Sequence, residues 1–158
     1  MAAPSPTTRV EPTGKKFEDG YRTLITFSLD TNIELWEIEV TPPGRDGGEP
    51  IPTTTMWNDD YETVRPRALI KSTDGQVTCA YQEATIGQLD AIINREGTIT
   101  LTFPDESTEA FFGFPKSYTR SPMKHGEMPT MTVTFVETDF DPANDVEAGP
   151  ATAAVAGT

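Results

Sequence analysis

Two short runs of strict apolar–polar alternation limit what this chain can become. Thr98, Thr100 and Thr102 interleave with Ile99 and Leu101, and Thr130, Thr132 and Thr134 interleave with Met131 and Val133. A period of two puts every second side chain on the same face of a strand, so each run is a strand with one apolar face and one threonine face. The threonine face is small, uncharged and hydroxylated, and no basic side chain interrupts it. Such a surface can be wetted without gripping a ligand. Threonine is also a good strand residue on any solvated face, so the stripes fit either a passage wall or an ordinary exterior.

The rest of the composition agrees with short strands. The chain has 158 residues, enough for one domain and one core, with 14 prolines, 12 glycines and 35% hydrophobic residues. That balance favours many short elements joined by turns over a long-helix bundle. No apolar run reaches membrane-spanning length, and the stretch 1–9 is polar and proline-bearing, so synthesis in the cytosol and no membrane insertion are expected. The formal net charge is -13. A domain that grips nucleic acid needs the opposite sign. Like charge instead keeps a polyanion from sticking as it passes.

Along the chain, 1–20 reads as an N-terminal arm, 21–142 as a β-rich domain and 143–158 as a low-complexity tail. Residues 21–29 alternate and read as a strand. Asp30-Thr31-Asn32 is a turn signal, and 33–40 follows as the second strand of a hairpin, although Ile33 and Leu35 fall on the side of its acidic residues. The stretch 41–66 is a long, proline- and glycine-rich loop. Met56, Trp57 and Tyr61 within it either fold back onto the domain or anchor into a neighbouring copy. Thr85-Ile86-Gly87-Gln88 has the form of a capping box and predicts one helix over about 85–95, with Thr85 as N-cap and Gly97 near its C-terminal cap. Its stripe Ile86, Leu89, Ile92 and Ile93 would lie on a sheet. The segment 109–114 reads as a strand with Phe111 on one face and Phe112 and Phe114 on the other. Gly113 marks a bulge or a close backbone approach, and 115–129 reads as a loop.

A search for reactive chemistry returns little. His125 is the only histidine and lies in a loop; Cys79 is the only cysteine and sits on the apolar side of a strand. Gly14-Lys15-Lys16 lacks the upstream glycine and the following Ser/Thr of a phosphate loop. Asp139, Asp141, Asp145 and Glu147 miss the ligand spacing of a calcium loop, because Ala143 stands where the third ligand belongs. Asp59, Asp60 and Glu62 read as a solvated loop face. No assembled nucleophile, base or acid points to an enzyme, and no cofactor is expected.

The order of segments resembles tail tube (major tail) proteins of long-tailed bacteriophages. The resemblance is carried by the long loop into Thr53-Thr54-Thr55-Met56, by Arg65-Pro66-Arg67-Ala68-Leu69, by the capped helix, by Thr98 to Asp105, and by Ala110-Phe111-Phe112-Gly113-Phe114. It covers roughly 21–142. The basic loop with Lys116, Arg120, Lys124 and His125 departs from it. The resemblance implies a β-sandwich-like or barrel-like core with a flanking helix. It further implies six copies closing into a ring, rings stacking into a tube in the virion, and DNA ejected through the tube without specific binding. Implied partners are the chain itself and other tail proteins (tape measure, terminator, baseplate). On this view the passage wall comes either from Thr98, Thr100, Thr102, Thr130, Thr132 and Thr134 or from Glu34, Glu37 and Glu39. The long loop 41–66, with Met56, Trp57 and Tyr61, and the N-terminal arm would bridge successive rings. The rival readings are a monomeric β-sandwich binding or decoration module using Trp57 and Tyr61 as a platform, and a tail-end or baseplate ring protein of the same fold.

Overall fold

The computed structural model describes residues 20–153. Those residues form a mainly β protein with one helix. In chain order the elements are β1 (Leu24–Phe27), β2 (Glu37–Thr41), β3 (Arg45–Asp46), β4 (Ile51–Pro52), β5 (Val64–Arg65), β6 (Lys71–Ser72), β7 (Gly75–Ala80) and α1 (Glu83–Ile92). After the helix come β8 (Gly97–Thr102), β9 (Thr108–Arg120), β10 (Thr130–Glu137), β11 (Phe140–Asp141), β12 (Val146–Glu147) and β13 (Ala151–Ala153). The main sheet is antiparallel in the order β1-β8-β9-β10-β7-β2. β13 pairs with Thr108–Ala110 of β9, beyond the point where β10 leaves that strand. Residues 146–147 and 151–153 of the C-terminal segment are therefore paired strand. The predicted N-terminal arm lies outside the described residues apart from Gly20.

One face of the sheet carries the core. Ile25 and Phe27, Ile99 and Leu101, Phe111, Met131, Val133 and Phe135, and Val77 and Cys79 are all buried together. The Phe111 and Phe135 rings stack at 5.8 Å between centroids. Helix α1 lies on this face and contributes Leu89 and Ile92, as its stripe predicts, with Ile86 packed at the margin. Its start differs from the sequence reading. Gln82 is the N-cap and makes no side-chain cap bond, while Thr85 is buried in the first turn. The apparent capping box is overridden because Thr85 belongs to the face that packs. Gly97 opens β8 instead of capping the helix; Asn94 takes the left-handed backbone conformation at φ 61°. That conformation suits asparagine better than most residues.

The predicted 21–40 hairpin does not form. β1 pairs β8 and β2 pairs β7, so the two lie at opposite ends of the sheet. The reason is the pair Ile33 and Leu35. Both are buried in the core although neither is in a strand. The segment between β1 and β2 thus crosses the core, and its apolar residues fill it. The two ends of the sheet nevertheless meet: the Ile25 N–H donates to Glu37 Oε1 at 3.2 Å. The sheet curls around its core, and a side chain bridges the ends where a closed barrel would have a ladder.

β9 also runs further than expected, through Pro115 to Arg120. Proline is tolerated because β8 ends opposite Gly113, and the Pro115 carbonyl on that flank accepts from the Asn94 N–H. No ladder bond is lost there. Gly113 is the close approach anticipated: a Cβ at that position would collide with the Val136 carbonyl. The register shift lies three residues on, where Pro115 opposes Phe135 and Ser117 opposes Thr134, leaving Lys116 bulged out.

Candidate assembly surfaces

The stretch read as a long loop is an extended two-stranded arm. Arg45 pairs Ser72 and Asp46 pairs Lys71; further out, Ile51 pairs Arg65 and Pro52 pairs Val64. The ladder continues with the Thr53 N–H to the Thr63 carbonyl, and Thr53 Oγ1 bonds Thr63 Oγ1 at 2.9 Å. The tip is then locked locally. Asn58 Oδ1 accepts from the Thr55 N–H at 2.8 Å, and Asn58 Nδ2 donates to the Tyr61 carbonyl at 2.9 Å. Sequence reasoning missed the hairpin because its strands are interrupted by prolines and pair across 12 to 27 positions; the threonines and Asn58 that close the tip are its only local signal. The eleven steps from Arg45 to Met56 reach on the order of 30 Å in extended chain.

This arm carries apolar side chains that the described residues do not cover. Met56 is 99% exposed, Trp57 92% and Tyr61 82%, and Leu69 and Ile70 are exposed nearer the base. Folding back onto the domain, one of the two options open from the sequence, is not what these three residues do. The hydrogen bonds around Asn58 hold them out on an ordered turn.

The two threonine stripes share one face, the face opposite the core. Thr98, Thr100 and Thr102 oppose Phe112, Ala110 and Thr108 on β9, and Thr130, Thr132 and Thr134 oppose Ala80, Thr78 and Gln76 on β7. All six are half-buried. Thr78 and Thr132 hydroxyls lie 3.3 Å apart. Half-buried Phe112, Phe114 and Val136 fill the space between the stripes. On this face, no ladder-paired side chain of β1, β8, β9, β10 or β7 is charged. Lys116 in the bulge and Glu39, which opposes Thr78 on β2, flank it. Lys116 is itself 3.5 Å from Asp74.

The three glutamates separate. Glu34 is exposed between buried Ile33 and Leu35, and Glu39 is exposed on the threonine side. Glu37 opposes Cys79 on the core side and bonds the Ile25 N–H. Burial, and after it the charge on Glu37, raises the Cys79 thiol to about 11. That is the reverse of what a nucleophilic cysteine needs. His125 is exposed in its loop. Of the four carboxylates with imperfect calcium-loop spacing, two are engaged by neighbouring side chains and backbone. Asp139 is bonded by Arg45 and Ser72, and Asp141 accepts from Asn144 Nδ2 at 2.6 Å and from the Ala143 N–H. These bonds to its charged form, led by Asn144, hold the Asp141 carboxyl below its usual range. Among the described residues no group of three or more His, Cys, Asp and Glu is placed to hold a metal ion. Among them also, no helix is long and apolar enough to cross a membrane.

Both terminal strands of the main sheet are open. β1 and β2 each pair on one side only among the described residues. Beside β2, Trp36 and Ile38 are exposed, and a groove lined also by Tyr21 and Arg22 runs between the two sheet ends.

No protein-family model matches the sequence, and no curated protein matches it. Among solved structures, one described as "Structure of a type six secretion system protein" overlaps 84% of this chain and 94% of its own, at 14% identity and a TM-score of 0.48. A score at that level does not establish a common fold.

Proposed function

We propose that this chain is a structural subunit that closes into rings, six to a ring, and that the rings stack into a tube of the bacteriophage tail type through which DNA is ejected. The observation that carries the reading is the arm: an ordered hairpin that presents Met56, Trp57 and Tyr61 to solvent and covers none of its own core. Exposed apolar side chains held on a rigid element are a docking device more than a solvation accident. Within a ring, the open margins of β1 and β2 supply backbone groups for pairing with adjacent copies. Such pairing removes the hazard that a bare sheet margin otherwise poses. A head-to-tail contact of this kind closes by rotation, and the arm supplies the second contact along the axis.

The threonine face is assigned to the bore. Its ladder-paired side chains on β1, β8, β9, β10 and β7 are hydroxylated, apolar or amide-bearing and uncharged, and the flanking Lys116 is paired with Asp74, so a polyanion would find neither a free cation to bind nor a dense anionic wall at contact distance. Glu39, and the excess of acid over the whole chain, provide the longer-range repulsion. Tape measure, terminator and baseplate proteins are the expected further partners, and the virion tail is the expected location.

The test is excision of the arm beyond its first rung, joining Asp46 to Lys71 through an Asn-Gly turn, which suits a two-residue hairpin. Negative-stain microscopy should then show folded subunits or single rings and no elongated tubes. Tubes of normal length from this variant would refute the bridging role. A full-length chain that sediments as a 17.3 kDa monomer at every concentration would favour the binding-module reading. Rings that never stack even with the arm intact would favour a tail-end or baseplate ring.

A further inference from the structure

Hydrogen bonds and ion pairs fasten the base of the arm to the body. On the arm side stand Arg45 of β3 and Ser72 of β6, which oppose each other in the first rung. On the body side stand Glu137, the last residue of β10, and Asp139. Arg45 Nη2 lies 3.1 Å from Glu137 Oε1, and Arg45 Nη1 lies 3.0 Å from Asp139 Oδ1. The Ser72 hydroxyl donates to the other Asp139 oxygen at 2.5 Å. Glu137 continues the inward-facing series Met131, Val133, Phe135, and its side chain is only 2% exposed. Among the described residues, Arg45 and Asp139 are the charges that act on Glu137. Gly113 of β9 opposes Glu137, and Gly149 of the C-terminal segment lies against the Arg45 guanidinium.

The charges in this cluster do not balance. One guanidinium faces two carboxylates, one of them buried. A net negative charge in such a site is costly unless it is neutralised, and one proton would neutralise it. We propose that Arg45, Ser72, Glu137 and Asp139 form a proton-operated latch that fixes the base of the arm, closed when the carboxylate pair shares a proton and loosened when that proton is lost. In the closed state protonated Glu137 hydrogen-bonds Asp139, leaving Asp139 as the single anion for Arg45. When the proton leaves, Glu137 becomes a second buried anion, and opening the base so that water reaches it becomes favourable.

The titration of Glu137 supports this direction. Burial first, and then its hydrogen bond to Asp139, push it up from 4.5 to about 7, against the opposing pull of Arg45. Because its folded value is the higher one, the stability it contributes is fully present below about 4.5. That stability is lost as pH rises through about 7. The latch is a property of the single chain. Its consequence, that arms are better set for docking at mildly acid pH, rests on the proposed function.

The experiment uses the full chain, dilute enough not to assemble, and reads amide hydrogen exchange corrected for the intrinsic pH effect. The reporter is the Thr73 N–H, which donates to the Gly44 carbonyl at 2.9 Å next to the latch. Its protection should fall about tenfold between pH 6 and pH 8.5, one pH unit's worth of linkage. In Glu137→Gln, an uncharged isostere that keeps the bonds to Arg45 and Asp139, it should stay level. In Arg45→Met it should be low at both pH values. Constant protection in the wild type, an equal fall in Glu137→Gln, or an unchanged Arg45→Met would each overturn the latch. A carboxyl NMR titration of Glu137 with a midpoint below about pH 5.5, close to an ordinary glutamate, would overturn it too. Pelleting of concentrated samples at the same two pH values separates the two claims. A latch that titrates without any change in pelleting stands, and its link to assembly falls.

Discussion

Replacing Trp57 with alanine separates folding from assembly. Trp57 is 92% exposed in the single chain, and its backbone N–H, not its indole, donates to Thr55 Oγ1 within the tip turn. Its side chain therefore contributes little to the stability of the subunit, and the change in unfolding free energy should stay within about 0.5 kcal/mol. In a stacked tube the same side chain would be buried. A tryptophan at the centre of a docked patch is worth about 2–4 kcal/mol to binding. At a factor of ten for each 1.4 kcal/mol, the critical concentration for tube growth should rise roughly thirtyfold to several hundredfold. Chemical denaturation measures the first quantity, and pelleting across a dilution series measures the second. Met56→Ala should act in the same sense and more weakly. The reasoning is refuted if Trp57→Ala grows tubes at the wild-type critical concentration. It is equally refuted if the variant loses several kcal/mol of subunit stability, because the indole would then be packing on its own chain.

Two further substitutions probe the body. Phe135→Ala removes a fully buried ring stacked on Phe111 and should cost about 3–5 kcal/mol by denaturant titration; a loss under about 1 kcal/mol would mean the core is not packed as described. Gly113→Ala places a methyl against the Val136 carbonyl, a backbone group that cannot swing aside. Melting should fall by several degrees, on the order of 1–3 kcal/mol for overpacking, and an unchanged midpoint would show that β9 and β10 lie further apart.

What was legible in the sequence was whatever two or three adjacent residues decide. The alternation of threonines with Ile99, Leu101, Met131 and Val133 gave the correct faces of β8 and β10, and the split of Phe111 from Phe112 and Phe114 did the same for β9. What was not legible depends on partners far away in the chain. Ile33 and Leu35 look like one face of a strand, yet they are buried in a crossover because the core between β1 and β2 needs filling. Thr85 has the local signature of a cap, and tertiary burial takes it instead. The arm was hidden because Ile51 finds Arg65 and Arg45 finds Ser72 with no alternation to announce either pairing. Among the site residues, the exposed trio Met56, Trp57 and Tyr61 could be named from composition. The latch could not, since nothing in the spacing of Arg45, Ser72, Glu137 and Asp139 brings them together.

The way this chain treats its sheet margins bears on how copies meet. The free flank of β9 beside Thr108–Ala110 is covered by β13 from the same chain. Among the described residues the margins at β1 and β2 are treated differently: a single glutamate bonds one N–H across the gap, and no strand fills it. A chain selected to remain single would be expected to blunt those margins with lysine, proline or a covering loop. Here β1 reads Leu-Ile-Thr-Phe, and β2 presents Trp36 and Ile38 beside its margin. Apolar side chains beside a ladder with one side open are the features an added strand requires, since backbone bonds supply affinity and side-chain pockets supply register. The described residues thus shield one margin and leave two dressed for contact. Under the proposed assembly, that contrast is a physical reason to place adjacent copies at β1 and β2, and to leave the threonine face, whose ladders are paired, for solvent.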